Sequence, residues 1–263
     1  MNKNKASCLI AAGLLTFSML ACNLGKGTTS PEGTANGSAP AAETPADNSS
    51  SSSTGACANP YMPIVTGATW NYKLTGPVSD TFTRSIISVE AGGFADQDVF
   101  GTGVTRQSKW NCDNGNLIAL NPADGGSSTI NTEDYSVEFQ TTALSGVTLP
   151  ATINAGDTWD QTMTLEGAQT INGTIIPTKN QFSNTCKAIG VESVTVEAGT
   201  FDAMKVECLT VMDITVTMND NPIQQNLTLN GINWYAENIG LVKTTMTGEG
   251  LDSTTELTAY SIP

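Results

Sequence analysis

Val194-Thr-Val-Glu-Ala-Gly-Thr-Phe-Asp-Ala-Met-Lys-Val-Glu207 decides how this chain is built. Valines alternate with polar residues up to Ala-Gly, and after the turn Phe201 opens a second alternating run, so the stretch spells a β-hairpin. The second run continues to Met218. Its even positions (Met204, Val206, Cys208, Thr210, Met212, Ile214, Val216, Met218) oppose mostly polar odd ones, which predicts one buried and one wet face.

An echo lies at Val89-Glu-Ala-Gly-Gly-Phe94, and two further pairs recur in the same order. Gly67-Ala-Thr-Trp70 matches Gly156-Asp-Thr-Trp159, and Trp110-Asn-Cys-Asp-Asn-Gly-Asn-Leu117 answers Trp234-Tyr-Ala-Glu-Asn-Ile-Gly-Leu241. Three matches in order predict a duplicated domain, with halves of about 57–145 and 146–263. Gly92 and Gly199 are expected to supply positive φ at the turns, and Phe94 and Phe201 to restart the strands as core anchors.

Period-two runs broken by Gly, Asn and Asp predict strands at 68–75, 80–90, 97–111, 116–121, 134–141, 158–166, 168–175, 181–196, 201–218, 224–236, 239–248 and 253–261. The apolar face changes parity between Leu227, Leu229 and Ile232, Trp234, which predicts a bulge at Gly231. The fold class is all-β and antiparallel: a strongly curved sheet or incomplete barrel from two related halves, with a β-sandwich as the alternative.

The first 21 residues read as an export signal: Lys3 and Lys5, then the apolar run Cys8–Leu20, then a processing site. Met19-Leu20-Ala21-Cys22 resembles the lipobox of bacterial lipoproteins. That resemblance implies a signal peptide over 1–21 and a palmitate-bearing lipid anchor at Cys22. Asn23 in place of the inner-membrane retention Asp favours the outer membrane or cell surface. Residues 22–56, poor in anything a core can use, form a tether whose ends lie about 30–35 Å apart on average. Residues 57–263 are left as one β-domain.

Removing the signal leaves 9 basic residues against 25 acidic ones, net −16, a surface that repels nucleic acid. The chain has no histidine, so Ser-His-Asp and Cys-His catalysis and His-ligated metals are excluded. Four cysteines remain after Cys8 and Cys22, and two disulfides among them allow three connectivities. The hairpin favours Cys186–Cys208, given a bulge near Gly190, and Cys57–Cys112 follows by elimination.

Tyr61-Met-Pro-Ile-Val-Thr-Gly-Ala-Thr-Trp-Asn-Tyr72, Val194–Ala203 and Trp234-Tyr-Ala-Glu-Asn-Ile-Gly-Leu-Val-Lys243 together resemble a group of uncharacterised β-rich exported bacterial proteins and lipoproteins of unknown function. Glu197 stands where that group commonly has proline. The resemblance brings no catalytic residues. In general design the chain is similar to periplasmic half-barrels that hold acyl chains, an analogy at the level of fold.

No nucleophile elbow, phosphate loop or dinucleotide fingerprint is present. Asp96, Asp98, Glu166 and Glu192 are expected on a solvated surface, which makes a carboxylate-based hydrolase the weakest reading. Asp113–Asn116, Asp124-Gly125 and Asp220-Asn221 are turn sequences before they are Ca²⁺ ligands. Met163, Met204, Met212, Met218 and Met246 suit an ordinary core or an apolar cavity, and the cavity reading names Trp159, Met163, Met212 and Trp234 as its lining. No metal, cofactor or catalytic residue is expected. The chain is read as a non-enzymatic, membrane-anchored extracytoplasmic lipoprotein that binds a lipid, another apolar ligand or an envelope protein. The alternative is a structural spacer or envelope-assembly component without ligand.

Overall fold

A computed structural model describes residues 55–121, 129–131, 135–218 and 221–263. The expected signal peptide, Cys22 and nearly all of the expected tether lie outside these residues. Thirteen strands and no helix occur among them: β1 (Thr69–Thr75), β2 (Asp80–Glu90), β3 (Gly93–Phe100), β4 (Thr105–Asp113), β5 (Asn116–Ala119), β6 (Thr129–Asn131), β7 (Tyr135–Gly146), β8 (Thr158–Ile171), β9 (Thr174–Val196), β10 (Gly199–Met218), β11 (Asn221–Ala236), β12 (Gly240–Thr247) and β13 (Ser253–Ser261).

All pair antiparallel in one sheet that curls round until β3 meets β4, giving an incomplete barrel. The ring is weakest where β4 meets β6 through the single pair Arg106 and Ile130. Beside that seam side chains replace the ladder: Gln161 Nε2 donates to the Ala119 carbonyl at 3.0 Å and the Ala119 amide donates to Thr148 Oγ1 at 2.8 Å. Closure by β3 and β4 covers those two edges, whereas β11 pairs with β12 only from Asn230 onward and its first half, from Asn221 to Leu229, has a ladder on the β10 side alone.

Several sequence expectations are corrected by the ladder. The run 97–111 is two strands, because Gly101–Val104 turns the chain between β3 and β4 and Gly103 takes φ +87°. Gly167 does not end a strand but sits inside β8 opposite Phe139, and the turn falls at Asn172-Gly173, both in the left-handed region. The β10–β11 register runs through Gly231 without a shift, and the irregularity lies one strand over, between Trp234 and Tyr235 against β12. Gly92 is outside the positive-φ region that Gly199 (φ +141°) occupies.

Disulfides join Cys57 to Cys112 and Cys186 to Cys208. In the β9–β10 hairpin Val196 pairs with Gly199, so Glu197 and Ala198 form the two-residue loop. Lys205 opposes Gly190 while Val206 opposes Ala188, and skipping Ile189 brings Cys208 opposite Cys186. Without that bulge Cys208 would face Lys187, and the two sulfurs would miss each other.

β1–β5 and β8–β12 are each five-strand meanders in which neighbours in sequence pair in space. Trp70 and Trp159 each sit at the second residue of the opening strand, and each indole donates to a connecting-segment carbonyl, that of Ile239 at 2.7 Å and Thr148 at 3.1 Å. Trp110 and Trp234 share the fourth strand of their meanders but not its face: Trp110 opposes buried Phe94, whereas Trp234 opposes Lys205.

Candidate functional site

β3 reads Phe94-Ala-Asp-Gln-Asp-Val-Phe100, and strand alternation puts both aspartates on the face of the two phenylalanines. That face is the inside of the barrel. Asp96 is 4% exposed and Asp98 3%, which overturns the expectation of a solvated surface for both. Glu166 and Glu192 are outside as expected, the former against Lys179 at 2.7 Å and the latter accepting the Trp234 indole at 2.6 Å.

Cross-strand pairing arranges the interior of β1–β5 in layers. Tyr72, Phe82 and Phe100 form one row, with successive ring centroids 5.0 Å apart. The next row is Trp70, Arg84, Asp98 and Arg106. Asp96 follows between Ile86 and Ser108, and the last row stacks Phe94 on Trp110 at 5.3 Å. A charged layer is thus held between two aromatic ones.

Arg84 grips Asp98 with Nε on Oδ1 at 2.8 Å and Nη2 on Oδ2 at 3.0 Å, and Arg106 donates to Oδ2 through both Nε and Nη2. The guanidinium carbons also lie over aromatic faces, Arg84 at 6.0 Å from the Tyr72 centroid and Arg106 at 5.4 Å from that of Phe100. Burial alone would raise Asp98, but the two guanidinium groups outweigh it and hold the carboxyl at about 2. Asp96 has no such grip. Burial pushes it up to about 6, the negative charge of Asp98 adds to the rise, and the arginines and the Trp110 indole (Nε1 to Oδ2, 3.2 Å) offset only part of it. The two arginines and two aspartates balance once Asp96 ionises, so the layer is electrostatically closed.

A cavity of about 40 Å³ adjoins this layer, lined by Tyr61, Trp70, Tyr72, Arg84, Trp110 and Tyr235 among others. It accommodates water, whereas ligand sites run to roughly 300–1,000 Å³. Neither a sugar ring beside the aspartates nor an acyl chain fits that volume.

Of the four residues named for an apolar cavity, three share one face of the sheet and Trp234 does not. Met163 and Met212 flank Phe182 in one cross-strand row, and Trp159 stands on the same face in the row of Cys186 and Cys208. Met163 and Met212 are buried, and Met212 packs with Ile214, Leu227 and Leu229 as ordinary core. Trp234 is on the other face of the sheet, between Lys205 and Lys243, whose ammonium groups lie 6.0 and 5.9 Å from its ring. The parity change at Ile232 and Trp234 therefore reflects a shielded outer indole, not a bulge. Of the candidate Ca²⁺ turns, Asp113–Asn116 is a structural hairpin in which Asn114 donates to Asp113 and Asn116 accepts from the Ala151 amide. Asp124-Gly125 and Asp220 lie outside the described residues.

A family model described as DUF3108-like matches residues 101–261. Three solved structures are similar in fold. A protein with a YmcC-like fold from Bacteroides fragilis is 16% identical, with a TM-score of 0.46 over 75% of this chain and 97% of that one. A candidate lipoprotein from Parabacteroides distasonis is 19% identical, TM-score 0.47, over 77% and 99%. The hypothetical lipoprotein YmcC from Escherichia coli is 11% identical, TM-score 0.36, over 76% and 86%. Among functionally curated proteins, none matches the chain.

Proposed function

Since this chain belongs to the DUF3108-like family, we propose that it is an extracytoplasmic lipoprotein whose β-domain is not an enzyme and works through its outer surface. Cys22 carries the lipid, residues 23–56 hold the domain away from the bilayer, and the anchor sits in the outer membrane or at the cell surface. The observation that carries this reading is the packed interior of β1–β5 among the described residues. Its layers of aromatic and paired charged side chains leave about 40 Å³ beside them, which disfavours an acyl-chain carrier and leaves recognition of an envelope component.

Two disulfides, both outside a reducing compartment on this reading, lock the domain at its first strands and at its longest hairpin. The test is fractionation of the host expressing the native chain and a variant whose residues 1–22 are exchanged for a cleavable, non-lipidating export signal, followed by native mass spectrometry of the purified protein. The native chain is expected in the membrane fraction and the variant in the soluble extracytoplasmic one, with the protein free of co-purifying acyl lipid. An unchanged membrane location for the variant, or a stoichiometric bound lipid, overturns the reading.

A further inference from the structure

The first half of β11 is an open strand edge. Its ladder to β10 begins at Asn221, but β12 joins it only at Asn230. Just before that point the turn after β12 covers the strand: a Cβ on Gly248 would stand 2.6 Å from the Thr228 carbonyl oxygen and 3.5 Å from the Leu229 Cα. Residues 221–227 therefore have no strand on their second side among the described residues. The Thr228 carbonyl points away from β10, so alternation turns the peptide groups of Asn226, Gln224 and Pro222 the same way, while the odd residues bond to β10. The edge thus presents the amides of Gln224 and Asn226 and the carbonyls of Pro222, Gln224 and Asn226, proline having no amide to give.

Strand edges are ordinarily guarded against other strands by charged side chains. Every other strand longer than four residues carries at least one charged residue, whereas β11 has none in 16. The charges nearby stand at its margins, Asp213 one strand behind and Glu249 and Asp252 in the turn past Gly248. On a chain of 25 acidic and 11 basic residues, two copies of this segment can therefore lie side by side without setting like charges directly opposite each other. Ile223 adds an apolar increment, 38% exposed on the inner face opposite Val216.

We propose that this edge is the interface of a two-fold homodimer, in which residues 221–227 of two copies pair antiparallel and the sheet runs on from one molecule into the other. Gly248 limits the free run at its far end, and that run laid against itself is centred on Gln224. Gln224 then exchanges N–H and C=O bonds with its counterpart, and each Asn226 amide donates to the Pro222 carbonyl across the axis. The missing proline amide falls at the two ends of the ladder, and Ile223 meets its counterpart on the diagonal. The proposal goes beyond the outer-surface reading and does not depend on the anchor.

The test is sedimentation of the chain from residue 23 onward, exported from a cleavable, non-lipidating signal, at physiological ionic strength. A reversible dimer is expected, with a dissociation constant on the order of 100 μM for so small a contact. Gln224→Lys sets two ammonium groups face to face and is expected to weaken the dimer at least about tenfold. Gln224→Cys is expected to give a disulfide-linked dimer on mild oxidation, because directly opposed residues of a hydrogen-bonded pair lie about 5.5 Å apart at Cα. Gln181→Cys, two strands away, stays monomeric, and both positions are exposed, so the variants fold. A monomer at about 1 mM, a dimer indifferent to Gln224→Lys, or equal cross-linking through Gln181→Cys overturns the proposal. So does a chain that stays monomeric and takes up only a foreign extended peptide at β11. Membrane fractionation is unaffected by any of these results, so the two readings fail separately.

Discussion

Asp98 of β3 receives Arg84 of β2 side-on, with two nitrogens on two carboxylate oxygens at 2.8 and 3.0 Å, and shares its second oxygen with Arg106 of β4. One buried anion therefore ties three adjacent strands, the last of which closes the barrel. Asp98→Ala leaves two guanidinium groups inside without their anion and is expected to cost about 3–5 kcal/mol. Denaturant unfolding of the disulfide-bonded protein checks this. A loss below about 1 kcal/mol, the usual worth of a surface pair, would show that the cluster is solvated.

The neighbouring carboxyl predicts an inverted pH response. Asp96 has a folded pKa of about 6 against an ordinary 3.8, so its contribution to stability grows as pH falls through about 6 and levels off below 3.8. Asp98 runs the other way: its contribution is present above 3.8 and is lost as pH falls toward about 2. Melting temperature should therefore rise from neutral pH into the window between these limits and fall in stronger acid. Relief of net negative charge acts in the same direction as Asp96, so Asp96→Asn is the discriminating variant. It should melt higher than the parent at pH above 6 and show a flatter rise on acidification, its carbonyl still accepting the Trp110 indole. A parent-like slope would assign the effect to overall charge.

Gly167 tests the seam-side packing. Its φ is ordinary, but a Cβ there would stand 2.0 Å from the Glu138 carbonyl oxygen and 2.9 Å from Phe139. Gly167→Ala is expected to destabilise by on the order of 1–3 kcal/mol through forced separation of β7 and β8. Thermal melts compared with Gly156→Ala, where nothing lies within 4 Å but φ is +95°, separate close approach from backbone strain.

The two disulfides close loops of different length, with sequence separations of 55 and 22. In the chain-entropy account Cys57–Cys112 is worth about 4 kcal/mol and Cys186–Cys208 roughly 3. Paired Cys→Ala variants should lose stability in that order, and non-reducing peptide mapping should recover only these two linked pairs. Recovery of a Cys57–Cys186 peptide would refute the connectivity.

The recurrent motifs support a narrower inference than three ordered matches suggest. Trp70 and Trp159 occupy matching places in two meanders, and both Ala-Gly stretches turn the second strand into the third, so we propose that β1–β5 and β8–β12 share an origin. Failure of Trp70 to superpose on Trp159 when β1–β5 is overlaid on β8–β12 in a crystal of the domain would sink this. The third pair does not contribute, because Trp110 stacks on Phe94 inside the barrel whereas Trp234, buried as well, lies on the other face of the sheet opposite Lys205.

The Val194–Glu207 stretch and its continuation to Met218 were enough to establish an all-β chain, since period-two alternation is imposed by backbone geometry alone. β13 at 253–261 was legible to the residue for the same reason. The interior aspartates are legible too, since the spacing Phe94, Asp96, Asp98, Phe100 puts all four on one face of a strand. Arg84, two residues after Phe82, and Arg106, four before Trp110, carry the same signal. What the sequence could not decide is which faces meet. Alternation assigns a side chain to one of two faces but not to inside or outside, and only the register with β10 and β12 sets Trp234 beside Lys205 and Lys243, where it is nonetheless buried. Nor does any local pattern say whether the barrel is hollow. That depends on how side chains from strands far apart in sequence fill the shared interior, and among the described residues the layers of β1–β5 leave a cavity of about 40 Å³ beside them.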